Sequence, residues 1–148
     1  MSFKSYGDQV ANEIESKIQE NMENLTQRYE TLLKEKLDTP PGRSGRIYPH
    51  TIVGKHQASA PGEPPAPMTR ELLESVQDVI LGQGSNFKSA VYSPLSRALW
   101  LETGTGPRYT QSGRYTGRVE ARPAWVLTLM ENREELAGVA TDGFQRRA

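Results

Sequence analysis

Residues 8–37 contain no proline or glycine and place an apolar side chain about every fourth position: Val10, Ile14, Ile18, Met22, Leu25, Tyr29, Leu32 and Leu37. Between them stand Glu13, Lys17, Glu20, Glu23, Arg28 and Lys34. This spacing predicts a helix with one apolar stripe and a solvated back. At 1.5 Å per residue it would be about 45 Å long. A chain of 148 residues fits one modest domain, and a helix of that length is long for it. The stripe is expected to line the domain core, and part of it to pack on a neighbouring subunit.

Thr39-Pro40-Pro41-Gly42 stops the helix and opens a segment, 39–68, dense in proline and glycine. Within it Arg46-Ile47-Tyr48 and Thr51-Ile52-Val53 are expected to pair as a short, irregular hairpin. The stretch 58–67 is expected to run extended, close to polyproline II, because proline lacks the N–H and fixes φ. Thr69 then caps a short helix over 69–75. Residues 76–81 and 87–92 are strand-like and separated by Gly82-Gln83-Gly84-Ser85-Asn86, which predicts a hairpin. Ser93 and Pro94 supply a cap and a first-turn proline for a helix over 95–102 that ends at Gly104. Residues 104–120 are rich in Gly, Thr, Arg and Tyr and read as an exposed excursion. Pro123 opens a last helix with Trp125, Val126, Leu129, Met130, Leu136, Ala137 and Ala140 on one face. The expected architecture is a single α+β domain over 1–148, with a long N-terminal helix (1–38) and a C-terminal helix packed on a small antiparallel sheet. A long proline-rich loop (39–68) precedes the α+β core of 69–148, which carries the excursion.

The absence of cysteine excludes disulfides and thiolate metal sites. No run of 18 apolar residues is present, so no membrane span is expected, and nothing near residues 1–6 resembles a secretory signal. Net charge is zero but unevenly spread. Residues 39–70 carry four basic side chains against Glu63, and residues 104–122 carry four arginines against Glu120. A free nucleic-acid binder is usually basic throughout. Positive charge confined to two loops suits a protein that meets an acidic partner along one edge.

Groups for catalysis are thin. His50 and His56 are the only histidines, and their spacing matches neither a helical metal pair nor a zinc knuckle. Gly82-Gln83-Gly84 and Gly104-Thr105-Gly106 do not complete a phosphate-binding loop or a dinucleotide fingerprint. No nucleophile elbow and no carboxylate pair with motif-like spacing appears. Neither enzymatic activity nor a cofactor is expected. Glu102, beside Trp100, is expected to form an ion pair with a nearby arginine.

Two stretches are familiar together. The first is Gly45-Arg46-Ile47-Tyr48, then 56–66 with its Ser59-Ala60-Pro61-Gly62-Glu63-Pro64-Pro65 core, then the helix starting at Thr69. The second is Ala98-Leu99-Trp100-Leu101-Glu102-Thr103-Gly104-Thr105, followed by Ala121-Arg122-Pro123-Ala124-Trp125. In this order, over about 43–136, they resemble the neck, or tail-completion, family of long-tailed bacteriophages, also described as head–tail joining or minor tail components. Arg70 and Thr103 depart from the glycine and phenylalanine usual in that family, and 106–120 is longer than typical.

The resemblance implies a structural virion protein of the head–tail connector. Made in the bacterial host cytoplasm, it would form a homo-oligomeric ring between head-closure proteins and the tail terminator or tail tube, around the DNA channel. A tail terminator or other minor tail protein of a phage or phage-derived particle is the alternative. On this reading Pro61, Gly62, Glu63, Pro64 and Pro65 form a strap that loses little entropy on docking to a neighbour. Trp100, Glu102 and Arg122 are further contact candidates, with Arg122 pairing Glu102 as a local clasp. Arg108, Tyr109, Arg114, Tyr115 and Arg118 interleave cations with rings, a composition suited to phosphate contact and stacking, and are expected to face the DNA channel or an acidic adjacent ring.

Overall fold

The structure, a computed structural model, describes residues 3–38, 42–50, 54–65, 70–82 and 86–144, with side chains from residue 6 onward and not at residue 50. Helix α1 (Phe3–Asp38) is the predicted long helix, extended at both ends. A ribbon of β1 (Ile47–His50) and β2 (Gly54–Gln57) follows, then the single turn α2 (Glu71–Glu74) and the hairpin of β3 (Gln77–Leu81) and β4 (Lys88–Tyr92). Helix α3 (Ser96–Thr103) leads into a short ribbon, β5 (Arg108–Tyr109) and β6 (Tyr115–Gly117). The described chain closes with α4 (Trp125–Glu131) and α5 (Arg133–Ala140). The class is α+β as expected, with the antiparallel sheet divided into three separate two-stranded ribbons.

Only half of α1 belongs to the core. Leu33, Leu37, Val76 and Ala124 are buried together, with Leu72, Leu73, Val91 and Trp125 packed around them. Further toward the N-terminus the buried positions of α1 are polar, Asn21 and Thr26. The Thr26 hydroxyl returns to the Met22 carbonyl (2.6 Å). Asn21 donates from Nδ2 to the carbonyls of Ala140 (3.2 Å) and Asp142 (2.8 Å), closing the C-terminal end of α5, where carbonyls lack helical partners. Beyond that contact the stripe runs on uncovered: Ile18 is 46% exposed, Ile14 45% and Tyr6 66%. The division of the stripe is set by where α5 stops.

The predicted hairpin β3–β4 forms, with Gln77 opposite Tyr92 and Leu81 opposite Lys88, and lies against α1. Its turn residues 83–85 lie outside the described residues, as do 39–41, 51–53 and 66–69. The expected pairing of 46–48 with 51–53 is not what forms. Ile47 stands opposite Gln57 and His50 opposite Gly54, so the return strand begins at Gly54, beyond 51–53. A turn of two residues after Tyr48 would have to be made by Pro49 and His50; instead both sit in β1, and two-stranded pairing leaves Pro49 an outer edge where its missing N–H is not needed.

Three further expectations are corrected. The proline-rich stretch does not run extended through 60–63: the Glu63 N–H bonds the Ala60 carbonyl (3.1 Å) around Pro61 and Gly62, whose φ is +85°, the pattern of a type II turn, which favours Pro-Gly at its centre. The α2 cap expected at Thr69 lies outside the described residues; the turn begins after Arg70 with no side-chain cap. For α3, Ser93 lies two residues before the cap, its Oγ accepting the Leu95 N–H (3.2 Å), while Leu95 occupies the cap position. The C-terminal helix is two helices. Asn132, at φ −109° and ψ 18°, donates from its side chain to the Thr128 carbonyl (2.8 Å), a local bond that competes with helix continuation. This break leaves Val126, Leu129 and Met130 exposed while Thr128 and Leu136 turn inward.

Leu33, fully buried, is the most consequential apolar position on α1. Leu33→Ala is expected to lower the unfolding free energy by about 2–5 kcal/mol, whereas Ile14→Ala on the uncovered half should change it by no more than about 0.5 kcal/mol. Paired urea titrations check both values.

Candidate functional site

Stretches far apart in the sequence meet where the loop 42–65 crosses the start of α4. Gly45 lies so close to the return strand that a Cβ there would meet the Ala58 carbonyl oxygen at 2.4 Å and the Ser59 carbonyl at 2.7 Å. Only glycine permits that approach. The Ala58 N–H then bonds the Arg46 carbonyl (3.1 Å), and Gln57 Nε2 the Gly45 carbonyl (3.3 Å). The type II turn at 60–63 folds Glu63 back onto this crossing. Its carboxylate accepts the Ala60 N–H (2.6 Å), the Ser44 N–H (3.1 Å) and the Ser44 hydroxyl.

Those donors hold the Glu63 carboxyl below the ordinary carboxylate range, the Ser44 hydroxyl first, then the Ala60 and Ser44 amides, with the Arg122 charge adding a smaller effect. Arg122 joins the loop to the C-terminal segment: Nε donates to the Ser59 carbonyl (3.1 Å) and Nη1 to the Glu120 carbonyl (3.2 Å). The backbone reinforces it, with Gly62 N–H to the Ala121 carbonyl (2.9 Å) and Arg122 N–H to the Leu101 carbonyl (2.6 Å).

Glu102 does not pair with Arg122, contrary to the sequence-based expectation. Its Oε2 accepts the N–H groups of Ala124 (2.7 Å) and Trp125 (3.1 Å), and its Oε1 that of Val126 (2.9 Å). These are the orphan donors at the start of α4, where the helix also presents partial positive charge. Three converging amides satisfy a carboxylate without a cation, so Arg122 is left to the carbonyls. Tyr29 completes the junction from α1, its hydroxyl donating to the Trp125 carbonyl (2.8 Å). Burial, and secondarily the Glu102 charge, push its phenol up to about 12.

Within the proposed strap, Pro61 and Gly62 are exposed while Pro64 and Pro65 are buried in this chain's own fold. Trp100 is part-exposed on α3, with the Arg108 guanidinium over its ring at 5.7 Å. The excursion is the β5–β6 ribbon. Arg108, Tyr109, Arg114, Tyr115 and Arg118 are all exposed, the two tyrosine rings lie 5.6 Å apart, and Arg118 pairs with Glu120. The ribbon holds itself through Thr110 N–H to the Arg114 carbonyl (2.8 Å), Thr116 Oγ1 to the Arg108 carbonyl (3.0 Å) and Thr105 N–H to the Val119 carbonyl (2.8 Å). The structure thus brings Glu63, Glu102 and Arg122 into one junction and sets the arginine ribbon apart from it.

Ser44 takes part in these contacts, and Asn21 in closing α5, without any spacing signal in the sequence, whereas Ser59 is visible there only within the Ser59–Pro65 stretch. The tight Gly45 was legible only as the first residue of a familiar stretch. Among the described residues no three His, Asp or Glu side chains are placed to hold a metal ion, and no helix is long and apolar enough to cross a membrane. His56 is buried; the His50 side chain lies outside the described set. A shallow groove of about 190 Å³ between α1, β4, α4 and α5 is lined by Leu25, Tyr29, Val91, Leu129 and Leu136, with no charged group. The junction's chemistry is that of a clasp: its carboxylates and guanidinium hold backbone groups in position.

Comparison of the chain with protein-family models, with curated proteins and with solved structures returns no match.

Glu102→Ala strands three amides and is expected to cost about 2–3 kcal/mol; Glu102→Gln should cost less, because its amide oxygen still accepts two of them. Thermal melts of the two variants check the order. Because the Glu63 pKa is lower in the folded state, its stabilisation is complete above the ordinary carboxylate range and is lost as pH falls through the lower folded value. The melting temperature of Glu63→Gln should therefore lie below wild type at neutral pH and converge with it in acid.

Proposed function

We propose that this chain is a structural subunit of the head–tail connector of a tailed bacteriophage, one copy of a ring that joins the DNA-filled head to the tail. The observation that carries the reading is the convergence of the resembling segments. Gly45, the 59–63 turn, Glu102 and Ala121-Arg122 are spread over nearly eighty positions, and each supplies a different part of one clasp. A shared physical role explains why they occur together in this order, which isolated coincidences of sequence do not.

The surface supports assembly. Large apolar side chains stand exposed on the free half of α1, on α3 at Leu99 and Trp100, and on α4. Large apolar side chains grouped on separate elements are the kind of surface a neighbouring chain can cover. The clasp ties the loop, α3 and the start of α4 to one another.

Electron micrographs of a lysate from a phage carrying this gene with a premature stop should show DNA-filled heads and finished tails lying unjoined. Joined, infectious particles would contradict the proposal. Tails of uncontrolled length would instead favour the tail-terminator alternative.

A further inference from the structure

Two exposed surfaces of this chain are complementary to each other and cannot be the same contact. One is the free half of α1. Tyr6, Val10, Ile14 and Ile18 repeat every four residues, and the 3.6-residue period puts Glu13 along one flank of that stripe and Glu15 along the other, with Asp8 and Glu20 on the opposite face. Over residues 6–20 four acids face a single lysine, and Lys17 is engaged by Glu20 (3.1 Å) and Asp142 (3.3 Å). The other is the β5–β6 ribbon with its base: Tyr109 and Tyr115, tilted at 59° with ring centroids 5.6 Å apart, the exposed Leu99 and Trp100 of α3, Arg108 over the Trp100 ring, and Arg114, while Arg118 is paired with Glu120.

We propose that the arginine–tyrosine ribbon of one copy docks on the exposed, acid-flanked half of α1 of the next copy. The inference rests on the ring reading and names its contact. Charge decides the occupant. Two α1 halves laid together would oppose acids to acids, a like-charge arrangement that is unfavourable. The ribbon offers rings to cover the aliphatic stripe and arginines to meet its flanks. A chain with no net charge and one surface of each sign is built to bind itself.

Tyr6, Ile14 and Ile18 and the ribbon's Arg108, Tyr109, Arg114 and Tyr115 are all exposed within one chain, so the contact is made between copies. The Tyr29–Trp125 bond places the start of α4, and with it Glu102 and the base of the ribbon, level with residue 29 of α1. The free stripe begins eleven residues away at Ile18 and ends at Tyr6, about 17–35 Å along the axis. Because the two surfaces differ, the association is head-to-tail, and a repeated head-to-tail contact closes into a ring when its rotation permits.

The chain contains no cysteine, so introduced thiols report this contact cleanly. The full-length double variant Ile14→Cys/Tyr109→Cys, treated with a short bismaleimide at concentrations where wild type assembles, should give a ladder of covalent oligomers. Each single variant should give none beyond a background dimer. Arg108→Glu/Arg114→Glu and Glu13→Arg/Glu15→Arg should each weaken self-association about tenfold or more, and their equimolar mixture, measured by light scattering, should recover oligomers, because both contacts between unlike variants are again opposite in charge. Wild-type rings that persist in both charge variants, with no ladder, would overturn this contact and leave the ring standing. A wild-type chain that stays monomeric at every concentration would overturn both. Ribbon variants that assemble normally but lose binding to a DNA fragment would overturn the proposal in favour of a nucleic-acid surface.

Discussion

The Glu102 carboxylate holds the three amides that open α4, and most of the structure is arranged around that contact. Without it α4 would begin with unpaired donors in a half-buried position, where the cost of an unmet hydrogen bond is highest. Trp125, one of the capped residues, packs on the Leu33–Leu37 core and offers its carbonyl to Tyr29. One side chain on α3 therefore fixes the position of α4, the depth of the core beneath it and the registry of α1 above it. Arg122, two residues before the capped amides, extends the same anchorage to the 59–63 turn.

A small core follows from this arrangement. Besides Pro64 and Pro65, six apolar residues are buried among those described, and many of the exposed large apolar side chains lie on the free half of α1, the outer side of α4 and the aromatic ribbon. A fold that depends on polar clasps can hold its shape while leaving such faces open, and open faces are what an assembling subunit needs. The proposed ring and the ribbon-to-helix contact both draw on this one property: rigidity at the junction, exposure at the two ends.

The parts of the fold legible in the sequence were those written as periodicity or punctuation. The four-residue rhythm of α1, the β3–β4 hairpin around its glycines and the stop at Gly104 are local signals, and the structure follows them. What was not legible depended on contacts between distant residues. The return strand at Gly54 is set by pairing with β1, the break at Asn132 by a side chain reaching back to Thr128, and the partner of Glu102 by the arrival of α4. Glu102 and Arg122 were identifiable as important and were paired with each other, because opposite charges are the simplest inference from sequence; three backbone amides carry no letter in it. The tight turn at Pro61-Gly62 was obscured by its neighbours, since prolines in a run favour an extended chain and one Pro-Gly step is enough to reverse it.

Purified infectious particles offer the most direct measurement. Quantitative peptide mass spectrometry on such particles should find this chain at a fixed copy number of ring size, constant between preparations and comparable to the portal subunits at the same vertex. Absence of the chain from particles that remain infectious, or a copy number that varies with the preparation, would contradict a structural role in the connector.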